Sequence, residues 1–305
     1  MSDERWLITG ASGQLGGHTL ASLIREVSPR SITALAGAGP VVECGAAVQR
    51  VDLRDRNAVR ACVEDVRPTH VLHLGGVTTV AEAYADPRVA RRINVEASTT
   101  LAECVARHGG RLVFASTDMV FDGTAAPYRE DDPPCPVSEY GRSKAMAEPV
   151  VLGVGGTLVA RLSLMYGFPR TQRATPFVKQ IESLRRGEPI RLFTDEFRTP
   201  MGFGDAAAAL IALCRSGQEG ILHLAGPERL SRYDMVRQFA DVLGIAGTNF
   251  VATSRLSVES PEPRPADLSL DVSRLRELFP TLVPGPIRPE SLQAHTGSRI
   301  ADCEL

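Results

Sequence analysis

A glycine-rich turn between the first strand and the first helix constrains the fold of this chain more than any other segment. The strand is predicted at residues 5–9 and the helix at residues 15–27. The first glycine of the turn permits a tight bend, the second lets the backbone approach a pyrophosphate, and the third allows close packing of helix on strand. A helix N-terminus also attracts phosphate. The turn therefore predicts a dinucleotide site, with a glycine turn that binds nothing as the alternative; its residues are Gly10, Ser12, Gly13, Gln14, Leu15 and Gly16.

Short apolar strands alternate with helices along the first half of the chain. Further strands are predicted at residues 31–35, 47–51, 69–74, 111–115 and 157–162, and helices at residues 58–66 and 88–108. Strands that are apolar throughout, rather than at every second residue, fit a sheet that is buried on both faces. The sequence therefore predicts an α/β fold, a Rossmann-type doubly wound parallel sheet with a smaller C-terminal α/β substrate lobe.

The alternation weakens after residue 167, which suggests how the chain is divided. Residues 1–167, together with about 198–225, are predicted to form an NAD(P)-binding Rossmann domain. Residues 168–197 and 226–285 are predicted to form a substrate-binding lobe. The proline-rich segment 286–305 is predicted to be a surface tail.

Composition excludes several classes of protein. The 305 residues carry 34 Lys and Arg against 36 Asp and Glu, so the chain lacks the basic balance that nucleic acid binding requires. The longest apolar run has nine residues, 206–214, whereas a membrane span needs about 20. The six cysteines are far apart, with no CxxC pair and no nearby histidine cluster. We therefore expect a cytoplasmic protein with free thiols and no metal site.

The adenine side of the predicted site contains little that identifies the coenzyme. NAD-binding folds usually carry an Asp or Glu at the end of the second strand, which accepts a hydrogen bond from the ribose. Here that strand ends Leu35-Ala36-Gly37-Ala38, without an acid and without an arginine immediately after it. This slightly favours NADP(H) over NAD(H). Asp52 and Leu53, at the end of the third strand, are placed to contact adenine, although a cap or turn role explains Asp52 equally well.

Tyr140 and Lys144 are four residues apart and so share one face of a predicted helix. A tyrosine needs such a neighbour for acid–base work, because lowering its pKa from about 10 to about 7 takes about 4 kcal/mol of anion stabilisation. A lysine ammonium supplies part of that energy. The alternative is a solvated helix face.

Ser116, Thr117 and Asp118 follow the fifth strand, at the sheet edge where open α/β folds bind ligands. A hydroxyl there can donate to a substrate carbonyl. Alone, the three residues would be interpreted as a helix cap or a turn.

These motifs together resemble the extended short-chain dehydrogenase/reductases. The resemblance rests on the TGASGQLGG turn, the YGRSK pair and the STD triplet, and it covers nearly all of residues 4–280. Within that family the chain is most similar to the dTDP-4-dehydrorhamnose reductase group, through residues 116–123, 198–200 and 264–271.

The resemblance implies a role for each matching residue. Tyr140 would protonate the carbonyl oxygen, and Lys144 would hold the nicotinamide ribose and lower the tyrosine pKa. Thr117 would hydrogen-bond the substrate oxygen, while Ser116 would line the cofactor side. The loop Leu74, Gly75 and Gly76 would cover the cofactor, and Asn94 would approach the lysine unless it faces solvent. Substrate-binding residues would be Thr117, Asp118, Met119, Arg161, Arg198 and Arg264.

Met119 departs from the family pattern. The 4,6-dehydratases have a glutamate at this position that abstracts a proton, and rhamnose reductases usually have a tyrosine. A methionine cannot act as a base, which disfavours dehydration. The resemblance therefore implies an NAD(P)H-dependent reductase of a nucleotide-linked 4-keto-6-deoxysugar, and it suggests the homodimer that is common in the family. The alternatives are an NAD-retaining nucleotide-sugar epimerase and a regulatory subunit like that of methionine adenosyltransferase.

Overall fold

A parallel sheet of seven strands forms the centre of the computed structural model, which describes residues 4–171 and 175–292. Its spatial order is β11-β6-β5-β4-β1-β2-β3, and every neighbouring pair is parallel. These strands are β1 (Trp6–Thr9), β2 (Ile32–Ala36), β3 (Ala47–Arg50), β4 (His70–His73), β5 (Arg111–Thr117), β6 (Thr157–Leu162) and β11 (Gly220–Leu224). The fold class predicted from the sequence is confirmed.

Helices cover both faces of this sheet. They are α1 (Gln14–Leu23), α2 (Arg56–Val66), α3 (Val80–Ala85), α4 (Pro87–Arg91), α5 (Ser98–Arg107), α6 (Glu139–Leu152) and α8 (Phe203–Ser216). Trp6 and Ile8 of β1 pack with α1 and α8 on one face, whereas Leu7 packs with α2, α5 and α6 on the other. Because successive strand residues point to opposite faces, this burial explains why β1 is apolar at every position.

The structure differs from the prediction of one long helix at residues 88–108. This segment contains α4, then a π-helical segment at Arg92–Ala97, and then α5. The i→i+5 bonding of a π-helix leaves no mark in apolar periodicity, and such segments are frequent at functional sites.

A second core lies beyond the carboxyl ends of the sheet strands. It is built on α7 (Pro176–Arg185) and α9 (Arg232–Val242), with Phe177 and Phe239 in edge contact at 4.9 Å between ring centroids. The remaining elements are β7 (Met165–Tyr166), β8 (Pro189–Phe193), β9 (Phe197–Arg198), β10 (Met201–Gly202), β12 (Leu230–Ser231), β13 (Asn249–Thr253) and α10 (Ser273–Leu278).

The first residues of the predicted surface tail are packed against the protein. Pro289–Leu292 forms a helical turn, α11, in which Leu292 is fully buried and its carbonyl accepts a hydrogen bond from the Phe168 amide at 3.0 Å. Because Leu292 contributes to the second core, the prediction that a surface tail begins at residue 286 is wrong. Residues 293–305 of the predicted tail lie outside the described residues. No helix within the described ranges is long and apolar enough to cross a membrane.

Candidate active site

Helix α6 places three ionisable side chains in a row facing β5. Ser138 caps the helix by accepting from the Gly141 amide at 3.1 Å, which fixes where the helix begins. Tyr140, Lys144 and Glu148 follow at intervals of four and are buried. Spacing of four keeps side chains on one helical face, so the row follows directly from the sequence. The solvated-face alternative for Tyr140 and Lys144 is excluded by their burial.

Tyr140 meets Thr117 at the carboxyl end of β5. The Thr117 hydroxyl lies close enough to the Tyr140 phenol to influence its pKa, and Thr117 Oγ1 accepts from the Met119 amide at 3.2 Å. Burial raises the pKa of Tyr140 to about 12, the Thr117 hydroxyl opposes this increase, and the charge of Asp118 adds to it. The pKa lowering expected from Lys144 is therefore absent in the chain on its own. At neutral pH the phenol keeps its proton, which is the form needed in a proton donor.

Lys144 is directed at the backbone of β5. Its ammonium donates to the Ala115 carbonyl at 2.8 Å and lies 4.5 Å from the centre of the Phe114 ring. Burial lowers the pKa of Lys144 to about 8, while the negative charge of Glu148 opposes this shift. The group is therefore still mainly protonated at pH 7.

Asn94 anchors the loop that follows β4. Its side-chain oxygen accepts from the Val77 amide at 2.9 Å, and its nitrogen donates to the Val77 carbonyl at 3.0 Å and to Ser143 Oγ at 2.8 Å. A Cβ on Gly76 would lie 2.6 Å from Asn94 Oδ1 and 3.5 Å from Lys144 Nζ. Asn94 is fully buried, so the alternative of a solvent-facing side chain is excluded. Only a glycine fits where the loop passes the lysine.

A chain of hydrogen bonds that sequence reasoning missed runs behind this loop. The Gly75 amide donates to Thr9 Oγ1 at 2.9 Å, Thr9 Oγ1 lies 2.7 Å from His73 Nδ1, and His73 Nε2 lies 2.8 Å from Ser98 Oγ. Ser98 Oγ donates to the Asn94 carbonyl at 2.7 Å.

The direction of every bond in this chain is fixed. Because a carbonyl can only accept, the Ser98 proton points to Asn94, and Ser98 Oγ accepts from His73 Nε2–H. His73 Nδ1 then accepts from the Thr9 hydroxyl. Burial lowers the pKa of His73 to about 3, with the Lys144 charge adding to the shift, so the ring stays neutral.

The glycine turn fits a dinucleotide phosphate. Gly10 has φ +69°, and a Cβ there would lie 2.6 Å from the Gly75 amide nitrogen, so the turn and the loop after β4 are in direct contact. The N-cap of α1 is Gly13, which offers no side chain to the first-turn amides. Among the described residues no side-chain cap occupies the Leu15 and Gly16 amides, and the dinucleotide site predicted at this turn needs such donors for its phosphates.

Asp52 and Leu53 occupy different environments. The Asp52 carboxylate accepts from the Arg54 amide at 2.9 Å and pairs with its guanidinium at 2.6 Å, with half of each side chain exposed. This geometry favours the turn role for Asp52. Leu53 packs against the loop after β4. Its Cδ1 is close enough to Gly75 that a Cβ built on this glycine would lie 3.0 Å away.

The side chains of Ser116 and Arg161 are both directed at one buried carboxylate. Arg161 Nη2 pairs with Glu148 Oε2 at 2.8 Å, its Nη1 donates to the Glu130 carbonyl at 3.2 Å, and its side chain is 2% exposed. Ser116 Oγ donates to Glu148 Oε1 at 2.5 Å. The Ser116 hydroxyl therefore serves this buried ion pair rather than lining the cofactor side, and Arg161 directs its guanidinium at protein acceptors rather than at a substrate.

Three arginines converge on one buried carboxylate, which the sequence did not predict. Glu196 Oε1 lies 2.8 Å from Arg232 Nε and 3.7 Å from Arg198 Nη2, and Glu196 Oε2 lies 3.6 Å from Arg264 Nε. Burial alone would raise the pKa of Glu196, but the arginine charges hold it below its usual range.

Arg198 connects this cluster to Asp118 and Thr117 at the carboxyl end of β5. Its Nε lies 3.5 Å from Asp118 Oδ2, and Asp118 in turn accepts from Thr117 Oγ1 at 3.2 Å. Burial raises the pKa of Asp118, and the positive charge of Arg198 opposes that shift. Asp118 therefore bridges Thr117 and the arginine cluster.

A cavity of about 320 Å³ opens beside the arginines. The Arg264 guanidinium lies 4.8 Å from the centre of the Phe193 ring in its wall. Aromatic faces suit a nucleobase, and arginine suits phosphate. The lining includes Tyr166, Phe177, Gln180, Arg191, Phe193, Arg232 and Arg264.

Met119 belongs to an apolar group around Tyr140. It packs there with Val77, Val80 and Ala83. The position where the related dehydratases carry a base is therefore apolar in this chain.

A parallel Rossmann sheet with a Tyr-x-x-x-Lys pair facing a Thr beside the glycine turn defines the short-chain dehydrogenase/reductase class of fold and site. Residues 4–286 match the family model described as the RmlD substrate binding domain. The chain belongs to this family, within the extended short-chain dehydrogenase/reductases.

Curated relatives include both enzymes and a regulatory subunit. The chain is 35% identical over 279 residues to a probable dTDP-4,6-dihydroxy-2-methyloxan-3-one 4-ketoreductase of Streptomyces antibioticus, covering 89% of this chain and 88% of the relative. It is also 30% identical over 286 residues to the methionine adenosyltransferase 2 subunit beta of Xenopus laevis, covering 90% of this chain and 82% of the relative. Similarity over about nine-tenths of this chain therefore does not by itself separate a catalyst from a regulator.

Solved structures share the fold over nearly the whole chain. A hypothetical dTDP-4-dehydrorhamnose reductase from Sulfolobus tokodaii has a TM-score of 0.80 at 26% identity, covering 94% of this chain and 98% of that one. A dTDP-4-dehydrorhamnose reductase from Bacillus anthracis, in complex with NADP, has a TM-score of 0.77 at 24% identity, covering 90% and 93%. A UDP-glucose 4-epimerase from Thermus thermophilus, in complex with NAD, has a TM-score of 0.74 at 26% identity, covering 92% and 94%.

Proposed function

We propose that this protein is an NAD(P)H-dependent oxidoreductase that reduces the 4-keto group of a nucleotide-linked 6-deoxysugar. The observation that carries the proposal is the convergence of Tyr140, Thr117 and Lys144 beneath the loop after β4. The neighbouring cavity supplies aromatic and cationic groups for a nucleoside diphosphate. The relative from Streptomyces antibioticus is named as a 4-ketoreductase of a dTDP-linked keto compound, which supports the same reaction class.

The reaction requires a hydride to reach the carbon of the substrate carbonyl and a proton to reach its oxygen. A bound nicotinamide coenzyme supplies the hydride to the carbonyl carbon. Tyr140, protonated at neutral pH, donates its phenolic proton to the carbonyl oxygen, while the Thr117 hydroxyl orients that oxygen. Lys144 would hold the nicotinamide ribose, and Arg232 and Arg264, which line the cavity, would bind the diphosphate of the substrate. Asp118 and Arg198 connect the two ends of this site.

The proposal is tested by following NADPH and NADH oxidation at 340 nm against a panel of nucleotide-linked 4-ketosugars. We expect turnover with at least one of them, and Tyr140→Phe should lower kcat by about 10²- to 10⁴-fold because the proton donor is removed. Coenzyme affinity should change less than about twofold. Tyr84→Phe, at a half-exposed tyrosine of α3, is the matched control. Undiminished turnover by Tyr140→Phe would contradict the assigned role.

Two other functions make different predictions. An epimerase, like the NAD-containing neighbour, retains its dinucleotide, so stoichiometric NAD in the purified protein would favour it. A regulatory subunit, like the methionine adenosyltransferase relative, would bind a dinucleotide without turning over any ketosugar. The intact Tyr140, Lys144 and Thr117 favour an enzyme over the regulatory subunit. The homodimer, the cytoplasmic location and the limits of the Rossmann domain and the substrate lobe stay predictions of the sequence.

A further inference from the structure

An opening at the carboxyl end of β2 lies next to the glycine turn. Beyond Ala36 the chain continues Gly37-Ala38-Gly39, with no acidic side chain. A Cβ built on Gly37 meets no atom within 4 Å, and one on Gly39 would lie 3.1 Å from Ser12 Cβ. In NAD-binding folds an Asp or Glu side chain occupies the end of this strand, and here no side chain of the described residues does. The opening borders Ser12 of the predicted phosphate-binding turn.

Arg50 reaches this opening from the neighbouring strand. It is the last residue of β3 and pairs in register with Ala36, the last residue of β2. Its Nη1 donates to the Gly37 carbonyl at 2.5 Å and also to the Gly39 carbonyl. No local sequence pattern indicates this contact, because 13 residues separate Arg50 from Gly37.

Most of the donor capacity of Arg50 is still available. Both Nη1 protons are directed at carbonyls, which leaves Nε–H and the two protons of Nη2. Among the described residues no carboxylate pairs with Arg50, since the nearby Asp52 pairs with Arg54. Arg50 is exposed, so a ligand can approach it.

We propose that Arg50 binds the 2′-phosphate of NADPH and thereby sets the coenzyme preference of this protein. In a Rossmann fold the adenine ribose lies between the glycine turn and the end of β2, where the two coenzymes differ only by that phosphate. A carboxylate there repels the phosphate, whereas a guanidinium forms charge-assisted hydrogen bonds with it. This inference rests on the proposed function only in placing a dinucleotide at the glycine turn.

Binding measurements by calorimetry, without any sugar substrate, test the assignment. We expect the protein to bind NADPH at least about tenfold more tightly than NADH, and 2′,5′-ADP more tightly than 5′-ADP, since hydrogen bonds to a charged group have this magnitude. Arg50→Gln should weaken NADPH and 2′,5′-ADP about 10- to 100-fold and leave NADH within about twofold. Arg60→Gln removes the same charge from the exposed face of α2 and should change neither ligand.

A reciprocal variant tests the same position by adding the missing carboxylate. Gly37 has no positive φ and open space at its Cβ, so Gly37→Asp adds a carboxylate without backbone strain. It should weaken NADPH binding and preserve or strengthen NADH binding. Because Arg50 is exposed, raising the salt concentration should also reduce the NADPH preference.

The outcomes separate this inference from the function it rests on. Equal affinity for NADH and NADPH, or an equal loss of both in Arg50→Gln, overturns the role of Arg50 and leaves the reductase proposal standing. A protein that binds neither dinucleotide overturns both.

Discussion

Two buried residues on α6 have pKa values shifted in opposite directions by the same cause. Burial disfavours a charge of either sign, so it raises the pKa of Tyr140 to about 12 and lowers that of Lys144 to about 8. At neutral pH, below both values, the tyrosine is a neutral donor and the lysine is a cation. The pair is therefore prepared for donation of a proton from Tyr140 to a substrate, and on raising the pH Lys144 loses its proton before Tyr140 does.

A pH dependence follows from the lysine. Its ammonium is present below about pH 8 and is lost as the pH rises through that value, whereas an ordinary lysine would keep its charge to about 10.5. Coenzyme affinity, which depends on Lys144 through the ribose, should therefore decline as the pH rises from 7 to 9. Binding titrations across this range check it.

Lys144→Met serves as the comparison for that titration. It should bind coenzyme more weakly at pH 7 and show no further decline through pH 8. A decline of equal size in Lys144→Met would assign the titration to another group.

Single residues were predictable where a spacing rule determines orientation. The interval of four between Tyr140 and Lys144 places both on the face of α6 that meets β5, as the structure shows. The orientation of Ser116 was not predictable. Its hydroxyl is directed by Glu148, a residue 32 positions away whose own direction depends on Arg161. Arg161 likewise matched a family motif by position, yet a buried partner on another element determines where it points.

At the level of elements, the π-helical segment was the feature that the sequence could not reveal. Apolar periodicity predicted one continuous helix there, but the Asn94 carbonyl accepts the Ser98 hydroxyl and the chain of bonds continues to His73 on β4. The contact between His73 and Ser98 joins residues 25 positions apart, so it depends on tertiary structure and no local pattern predicts it. The chain of bonds joins the glycine turn, the loop after β4 and the helix that carries Asn94.

His73 is the central residue of this chain of hydrogen bonds and can be tested alone. His73→Phe keeps a ring of similar size but leaves the Thr9 donor and the Ser98 acceptor without their partner. Each buried group left unpaired costs about 1–3 kcal/mol. We expect a lower melting temperature, faster amide exchange at Gly75 and Val77, and about tenfold weaker coenzyme binding, because the loop loses its support.

The same replacement at the other end of β4 is the control. His70 is half-buried and stacks on Trp6 at 4.6 Å, far along the strand from the loop. His70→Phe should leave coenzyme affinity unchanged. Normal coenzyme binding by His73→Phe, measured at a temperature where it is folded, would mean that the hydrogen bonds of His73 only stabilise the fold.

For the whole molecule, the sheet was predictable and the arrangement at the second core was not. The central strands are apolar along most of their length, so burial on both faces could be inferred from the residues alone. The cluster on Glu196 draws Arg198 from β9, Arg232 from α9 and Arg264 from a loop. No spacing rule connects residues from three elements, and only Arg198 and Arg264 were found by resemblance.

Arg264 offers the sharpest test of whether the two cores form one substrate site. It lines the cavity and lies over Phe193, and its ion pair with Glu196 is long, at 3.6 Å, so its guanidinium can turn to a diphosphate. Arg264→Gln should raise KM for the nucleotide sugar about 10- to 100-fold and leave coenzyme affinity unchanged, since a hydrogen-bonded charge pair is lost. The inhibition constant of the free nucleoside diphosphate should rise by the same factor.

Arg237→Gln, on the exposed face of α9, removes an equal charge and should leave both constants unchanged. An equal increase in KM for the nucleotide sugar and in the inhibition constant of the nucleoside diphosphate is the decisive result. The free diphosphate lacks the sugar, so an equal effect on both would place Arg264 at the diphosphate. If Arg264→Gln lowered kcat without changing KM or the inhibition constant, Arg264 would act on the reacting end through Glu196, Arg198 and Asp118. The diphosphate would then bind elsewhere than in this cavity.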